Sequence, residues 1–134
     1  MKVLIVGELE GRRGLAAALE AERVDVGRPP GGSLPAPAGD EVAELAEALI
    51  AFDRLFTADA PEAVLVASTS NLALAAVLVA TKVRIPVVAL VVQTEHEDRL
   101  SELNRGLIAQ LADFTAADED PETIAASLRE LTTV

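Results

Sequence analysis

Glu102, Asn104 and Arg105 bring an acid, an amide and a guanidinium together in the stretch SELNRGLIAQLADF (101–114). A carboxylate can carry a proton in acid–base chemistry. A guanidinium can hold an anion in a two-pronged grip. The same stretch places Leu103, Leu107, Leu111 and Phe114 at spacings of three and four. That period predicts an amphipathic helix with those four side chains on one buried face. On residue types alone, Glu102 and Arg105 also read as a plain i,i+3 ion pair worth about 0.2–0.5 kcal/mol.

Three other segments carry polar chemistry. Gly7-Glu8-Leu9-Glu10-Gly11-Arg12-Arg13-Gly14 lacks both the G-x-G-x-x-G spacing of dinucleotide binders and a Walker lysine. Arg12 or Arg13 could still hold a phosphate at a helix start, and Gly7 permits a tight turn; solvated charges on a turn is the plainer reading. Ser68, Thr69, Ser70 and Asn71 offer hydroxyls and N–H groups at another predicted helix start. That suits an anion, but an ordinary helix cap is the plainer reading. Glu95-His96-Glu97-Asp98 is acidic, but a single imidazole makes a poor metal site. No metal and no cofactor is expected.

The elements that must position these residues follow from patterning. KVLIV (2–6), VDV (24–26), AVLVA (63–67), PVVALVV (86–92) and DFTAA (113–117) read as strands. Helices are predicted over 12–22, from Asp40 as N-cap through Phe56, over 69–83, 99–112 and 120–131, the last with Asp120 as N-cap and Pro121 at its first position. Val42, Leu45, Leu49, Phe52 and Phe56 should form the buried stripe of the second helix. GRPPGGSLPAPAG (27–39) reads as a flexible Pro/Gly-rich loop. The alternation predicts an α/β fold: a three-layer Rossmann-like or flavodoxin-like sandwich around a five-stranded parallel sheet, order 2-1-3-4-5. Ligands in such folds gather at the carboxyl ends of the strands. The 134 residues are expected to form a single domain.

Composition narrows the function. The chain carries a formal charge of −11, with three Phe and neither Trp nor Tyr. It would repel phosphate backbones and offers few stacking platforms, so no nucleic-acid partner is expected. With no cysteine, disulfides and thiolate sites are excluded, which fits a cytoplasmic location. Lys82, Arg84 and Pro86 interrupt the apolar region 72–92, so no membrane span is expected.

From Pro61 to Glu119 the sequence resembles the amino-terminal domain of the UDP-N-acetylglucosamine 2-epimerase family, whose architecture is GT-B-type, two Rossmann-like halves around a cleft. The family pattern V-x-G-D-T-N is matched by Val66-Ala67-Ser68-Thr69-Ser70-Asn71. An alanine-rich helix and I-P-V follow here as LALAAVLVATKVRIPV. The E-x-N-R signature is matched by Glu102-Leu103-Asn104-Arg105, and the closing A-D by Ala112-Asp113. The resemblance implies that Glu102 is the surviving catalytic acid. It implies ligand contacts from Gly7, Ser68, Thr69, Ser70, Asn71, Asn104 and Arg105; Arg12 or Arg13 near phosphate rests on the residues alone, since the family's arginine is not in register here.

The departures are specific. The family's G-T-R-P-E reads Gly7-Glu8-Leu9-Glu10-Gly11, the aspartate of G-D-T is Thr69, and H-x-E-A-G reads Ala89-Leu90-Val91-Val92-Gln93. The sequence covers one Rossmann-like half, so the expectation is a catalytically reduced nucleotide or nucleotide-sugar half-site. A homodimer or a separate GT-B half would be its partner. Two other readings stand beside it. One is a non-enzymatic interaction domain using the aliphatic helix around 72–80. The other is an inactive receiver-like domain, since the third strand ends in Ala67-Ser68 without the aspartate that phosphotransfer needs.

Overall fold

The structure, a computed structural model, describes residues 2–7, 25–27, 40–90, 98–116 and 121–132. The predicted helix 12–22, Arg12 and Arg13, most of the 27–39 loop, Glu95-His96-Glu97 and Asp120 lie outside the described residues. The described strands are β1 (Lys2–Gly7), β2 (Asp25–Gly27), β3 (Ala63–Ala67), β4 (Val87–Leu90) and β5 (Phe114–Ala116). The helices are α1 (Glu41–Ala58), α2 (Asn71–Lys82), α3 (Arg99–Leu111) and α4 (Pro121–Thr132).

The strands form one parallel sheet in the order β2-β1-β3-β4-β5. β1 pairs along its length with β3, from Val3 against Ala63 to Gly7 against Ala67. Successive side chains alternate between two faces, and both faces are covered. Leu4, Val6, Val64, Val66, Val87 and Ala89 pack against α1, α2 and α3. Val3, Ile5, Ala63, Leu65, Val88 and Leu90 pack with Ile124, Ala125 and Leu128 of α4. Burial on both sides is why β3 and β4 read as unbroken apolar runs.

Asp40 caps α1, its Oδ1 accepting from Val42 N–H at 3.0 Å. Ala48, Phe52 and Phe56 form the buried stripe, the two rings tilted with centroids 5.7 Å apart. Leu45 and Leu49 pack at its margin. Val42 does not join the stripe; it is 77% exposed, in the first turn. α2 is the central helix of its layer, packed by both α1 and α3. Its alanines at 73, 75, 76 and 80 are fully buried, so neighbours approach closely. The segment 72–80 therefore supplies core and not the free surface an interaction reading would require.

The phase of α3 differs from the expected one. Leu103 and Leu107 are each 49% exposed, while Asn104 and Ile108 are buried. Leu111 is partly buried with the α1–α3 core, whereas Phe114 belongs to β5 and packs in the opposite core. The four predicted residues therefore do not share one face. No helix among the described residues is long and apolar enough to cross a membrane.

Among the described residues two backbone positions have positive φ. α2 ends with Ile85 N–H on Ala80 O at 2.8 Å and Arg84 at φ 63°. This is the left-handed helix stop that glycine normally fills. Gly7 has φ 126°, and a Cβ there would lie 2.6 Å from the carbonyl carbon and oxygen of Ala67. Opposite substitutions should therefore have opposite effects in urea denaturation. Arg84→Gly is expected to raise stability by about 0.5–1 kcal/mol through relief of left-handed strain. Gly7→Ala is expected to lower it by about 1–3 kcal/mol.

Candidate functional site

The parallel arrangement points the starts of α1, α2 and α3 toward the edge where β1, β3 and β4 end. The β3–α2 turn is built by its own hydroxyls. Ser68 Oγ receives Ser70 N–H at 3.1 Å and donates to Ser70 Oγ at 3.1 Å. Ser70 Oγ in turn accepts from Ala73 N–H at 3.2 Å, making Ser70 the N-cap of α2. These contacts spend the hydroxyls on capping the helix, as the plainer sequence reading had it.

Behind this turn lies an amide cluster. Asn71 and Asn104 are the buried polar side chains among the described residues, at 8% and 7% exposure. Asn104 Nδ2 donates to Asn71 Oδ1 at 3.1 Å and to Thr69 O at 3.0 Å. Asn71 Nδ2 donates to a carboxylate oxygen of Glu41, at the first position of α1. The chain Glu41–Asn71–Asn104–Thr69 thus ties three helices to one turn. Sequence reading named Asn71, Asn104 and Thr69 but missed Glu41. Glu41 lies 30 residues from Asn71 beside an obvious N-cap, so no local spacing marks the pair.

The other candidates are distributed differently. Gly7 ends β1 directly beside Ala67, next to the turn. Glu102 is exposed in the first turn of α3. Two residues along a helix turn by about 200°, so Glu102 leaves α3 on the side away from Asn104 and is not drawn into the cluster. Arg105 is partly buried, one residue beyond Asn104. Asp113, from the closing A-D pair, serves the opposite edge of the sheet. Its Oδ2 accepts from Val87 N–H at 2.8 Å and its own N–H donates to Val87 O at 2.9 Å, fixing β5 beside the start of β4.

Carboxylates dominate the described edge. Asp40 and Glu41 stand at the start of α1, Asp98 and Glu102 at the start of α3, where the helix dipole favours them. Asp98 caps α3, its Oδ1 accepting from Ser101 N–H at 2.7 Å. That backbone bond, helped by the Ser101 hydroxyl, holds the Asp98 carboxyl below its ordinary value of 3.8. Among the described residues no group of three or more His, Asp or Glu is placed to hold a metal ion.

Fold and site together define a doubly wound parallel α/β domain with a polar cluster at the carboxyl edge. No protein-family model matches the sequence, and no curated protein matches it. Solved structures do share the fold. The UDP-GlcNAc 2-epimerase of Methanocaldococcus jannaschii, in complex with UDP-GlcNAc and UDP, matches with a TM-score of 0.69 at 23% identity, over 97% of this chain and 43% of its own. The Neisseria meningitidis enzyme bound to UDP-GlcNAc matches at 0.63 and 18%, over 95% and 43%. The Rickettsia bellii enzyme matches at 0.60 and 12%, over 94% and 40%. The chain spans about two-fifths of the length of these structures.

A folded-state carboxyl held low contributes stability above the unfolded pKa and loses it as pH falls through the folded one. Asp98→Asn keeps the capping oxygen but removes this titration. In urea denaturation from about pH 6 to pH 2, the variant is expected to lose less stability on acidification than the parent.

Proposed function

We propose that the chain is a nucleotide-sugar-binding half-domain, equivalent to the amino-terminal Rossmann-like half of a GT-B-type UDP-GlcNAc 2-epimerase, and not a complete epimerase by itself. The observation that carries this reading is the 3.1 Å contact between Asn71 and Asn104. These are the asparagines of the two signatures on which the resemblance rests, and they meet at the edge where this fold class binds ligands. The fold likeness to epimerases solved with UDP-GlcNAc and UDP supports the same reading.

In this reading the whole chain is one domain. The Ser68–Asn71 turn and Gly7 border the ligand, Arg105 and either Arg12 or Arg13 face its phosphates, and Glu102 is the remaining acid. Epimerisation at C2 needs a carboxylate to move a proton and a firmly held diphosphate. With Thr69, Ala89 and Val91 at the family's aspartate, histidine and glutamate positions, the chain lacks most of that acid–base set. It would bind, and a second Rossmann-like half would complete the cleft. A cysteine-free chain with such a ligand fits the reducing cytoplasm.

An NMR titration of the labelled protein with UDP-GlcNAc, and with UDP as control, tests this. Saturable shifts are expected at Gly7, Ser68–Asn71 and Glu102–Arg105. Glu102→Ala and Arg105→Ala should abolish them while leaving the remaining spectrum intact. Shifts that persist in both variants, or no shifts at millimolar ligand, would overturn the assignment.

A second reading, a non-enzymatic interaction domain, is favoured by one observation. Leu100, Leu103 and Leu107 of α3 are 44–49% exposed at helical spacing. Light scattering coupled to size exclusion decides it: a dimer converted to monomer by Leu103→Ser with Leu107→Ser supports this reading, and a strict monomer at high concentration removes it.

A further inference from the structure

The amide cluster has a forced polarity. At one end stands the Glu41 carboxylate, which as an ion only accepts hydrogen bonds. Asn71 must therefore turn its NH2 toward Glu41 and its carbonyl oxygen toward Asn104. At the other end stands the Thr69 carbonyl, which also only accepts. Asn104 must turn its NH2 toward Thr69, and the same NH2 reaches Asn71 Oδ1. Turning over either amide alone would set two acceptors or two donors face to face. Both protons of Asn104 Nδ2 are thereby committed.

Asn104 Oδ1 takes part in none of these bonds. Among the described residues no buried side-chain oxygen or nitrogen lacks a partner. An oxygen without a partner must therefore keep contact with solvent, although the residue is 93% covered. The result is a rigid acceptor on a tethered amide, beside the turn that starts α2. Such an atom would repel a phosphate oxygen and receive an O–H or N–H.

The geometry points to Asn104 Oδ1 as a specificity-determining acceptor for a hydroxyl or amide N–H of the bound ligand, its polarity fixed by Glu41 through Asn71. This deepens the nucleotide-sugar reading and rests on it for the ligand. It directs the sugar, with its hydroxyls and acetamido N–H, toward Asn104 and the phosphates elsewhere. Glu41 is a positioning residue, acting through Asn71.

The test has two parts on the full chain. Without ligand, a long-range HNCO experiment should show couplings from the Asn104 side-chain NH2 to the Thr69 carbonyl carbon and to Asn71 Cγ. Glu41→Gln should weaken protection of the Asn71 NH2 against exchange. Missing couplings would overturn the fixed polarity. With ligand, UDP-GlcNAc should move the Asn104 Cγ resonance downfield and UDP should not. Glu41→Gln should weaken UDP-GlcNAc about three- to tenfold, as expected for one neutral hydrogen bond, and leave UDP unchanged. Binding that shifts Ser68–Asn71 but leaves Asn104 Cγ still would overturn the acceptor role and spare the nucleotide reading. If neither nucleotide binds, that reading falls, and N-acetylglucosamine alone at high millimolar concentration decides the acceptor: movement of Asn104 Cγ supports it, and none overturns it.

Discussion

A parallel sheet has to be covered on both faces, and this requirement organises the rest of the molecule. β3 and β4 carry aliphatic side chains toward both sides, so helices must return across each face after every strand. Each described return brings a helix start to the same edge of the sheet. Three of those starts, on α1, α2 and α3, present backbone N–H groups that need acceptors. Asp40, Ser70 and Asp98 supply them through side-chain oxygens. The polar character of that edge follows from apolar strands several residues away. A second consequence is that α2, caught between α1 and α3, has almost no outer face of its own.

Much of this was legible locally. AVLVA is a strand because five aliphatic residues leave no polar side for solvent, and β3 has the bounds expected. Asp40 announced α1 because its short carboxylate competes well for the first free N–H groups. The phase of α3 was not legible. That helix carries two overlapping apolar rows, through Leu103 and Leu107 and through Ile108, and Leu111 lies close to both. Hydrophobic period alone favoured the row with more leucines. The structure turns the other row inward because Asn104 meets Asn71 and Thr69 there, and a buried amide pair needs both partners in place. That choice depends on residues more than 30 positions away, so no window of sequence contains it. Val42 fails for a simpler reason. It sits in the first turn, where period continues but the neighbouring layer does not cover it.

The candidate site was partly legible for the same reason. Residue types nominated Ser68–Asn71 and Glu102–Arg105, and both segments do lie at helix starts on the carboxyl edge. Types could not say which residue of each segment turns inward. Asn71 and Asn104 do so, while Glu102 points away and Ser68 and Ser70 satisfy each other. Asp113 shows the converse. It belongs to the ordered signature, yet its carboxylate fixes backbone at the edge opposite the candidate site. Part of an ordered resemblance therefore reports the demands of the fold, and only geometry separates that part from the site.

Electrostatics then limits what the edge can receive. Helix starts attract anions, but here Asp40, Glu41, Asp98 and Glu102 already occupy that field on α1 and α3. A diphosphate approaching those starts would meet four carboxylates and the partly buried Arg105. The start of α2 is different, because a serine caps it and no acid stands in its first turn. Its own sequence brings no carboxylate to that dipole; the one that reaches its first residue, through Asn71 Nδ2, is Glu41 of α1. In the proposed nucleotide-sugar reading, neutral, donor-bearing groups would be turned toward Asn104 at that start, and the phosphates toward Arg105. On that proposed reading the acidity of the edge would orient a nucleotide sugar and not oppose it, keeping the place for charge apart from the place for hydroxyls.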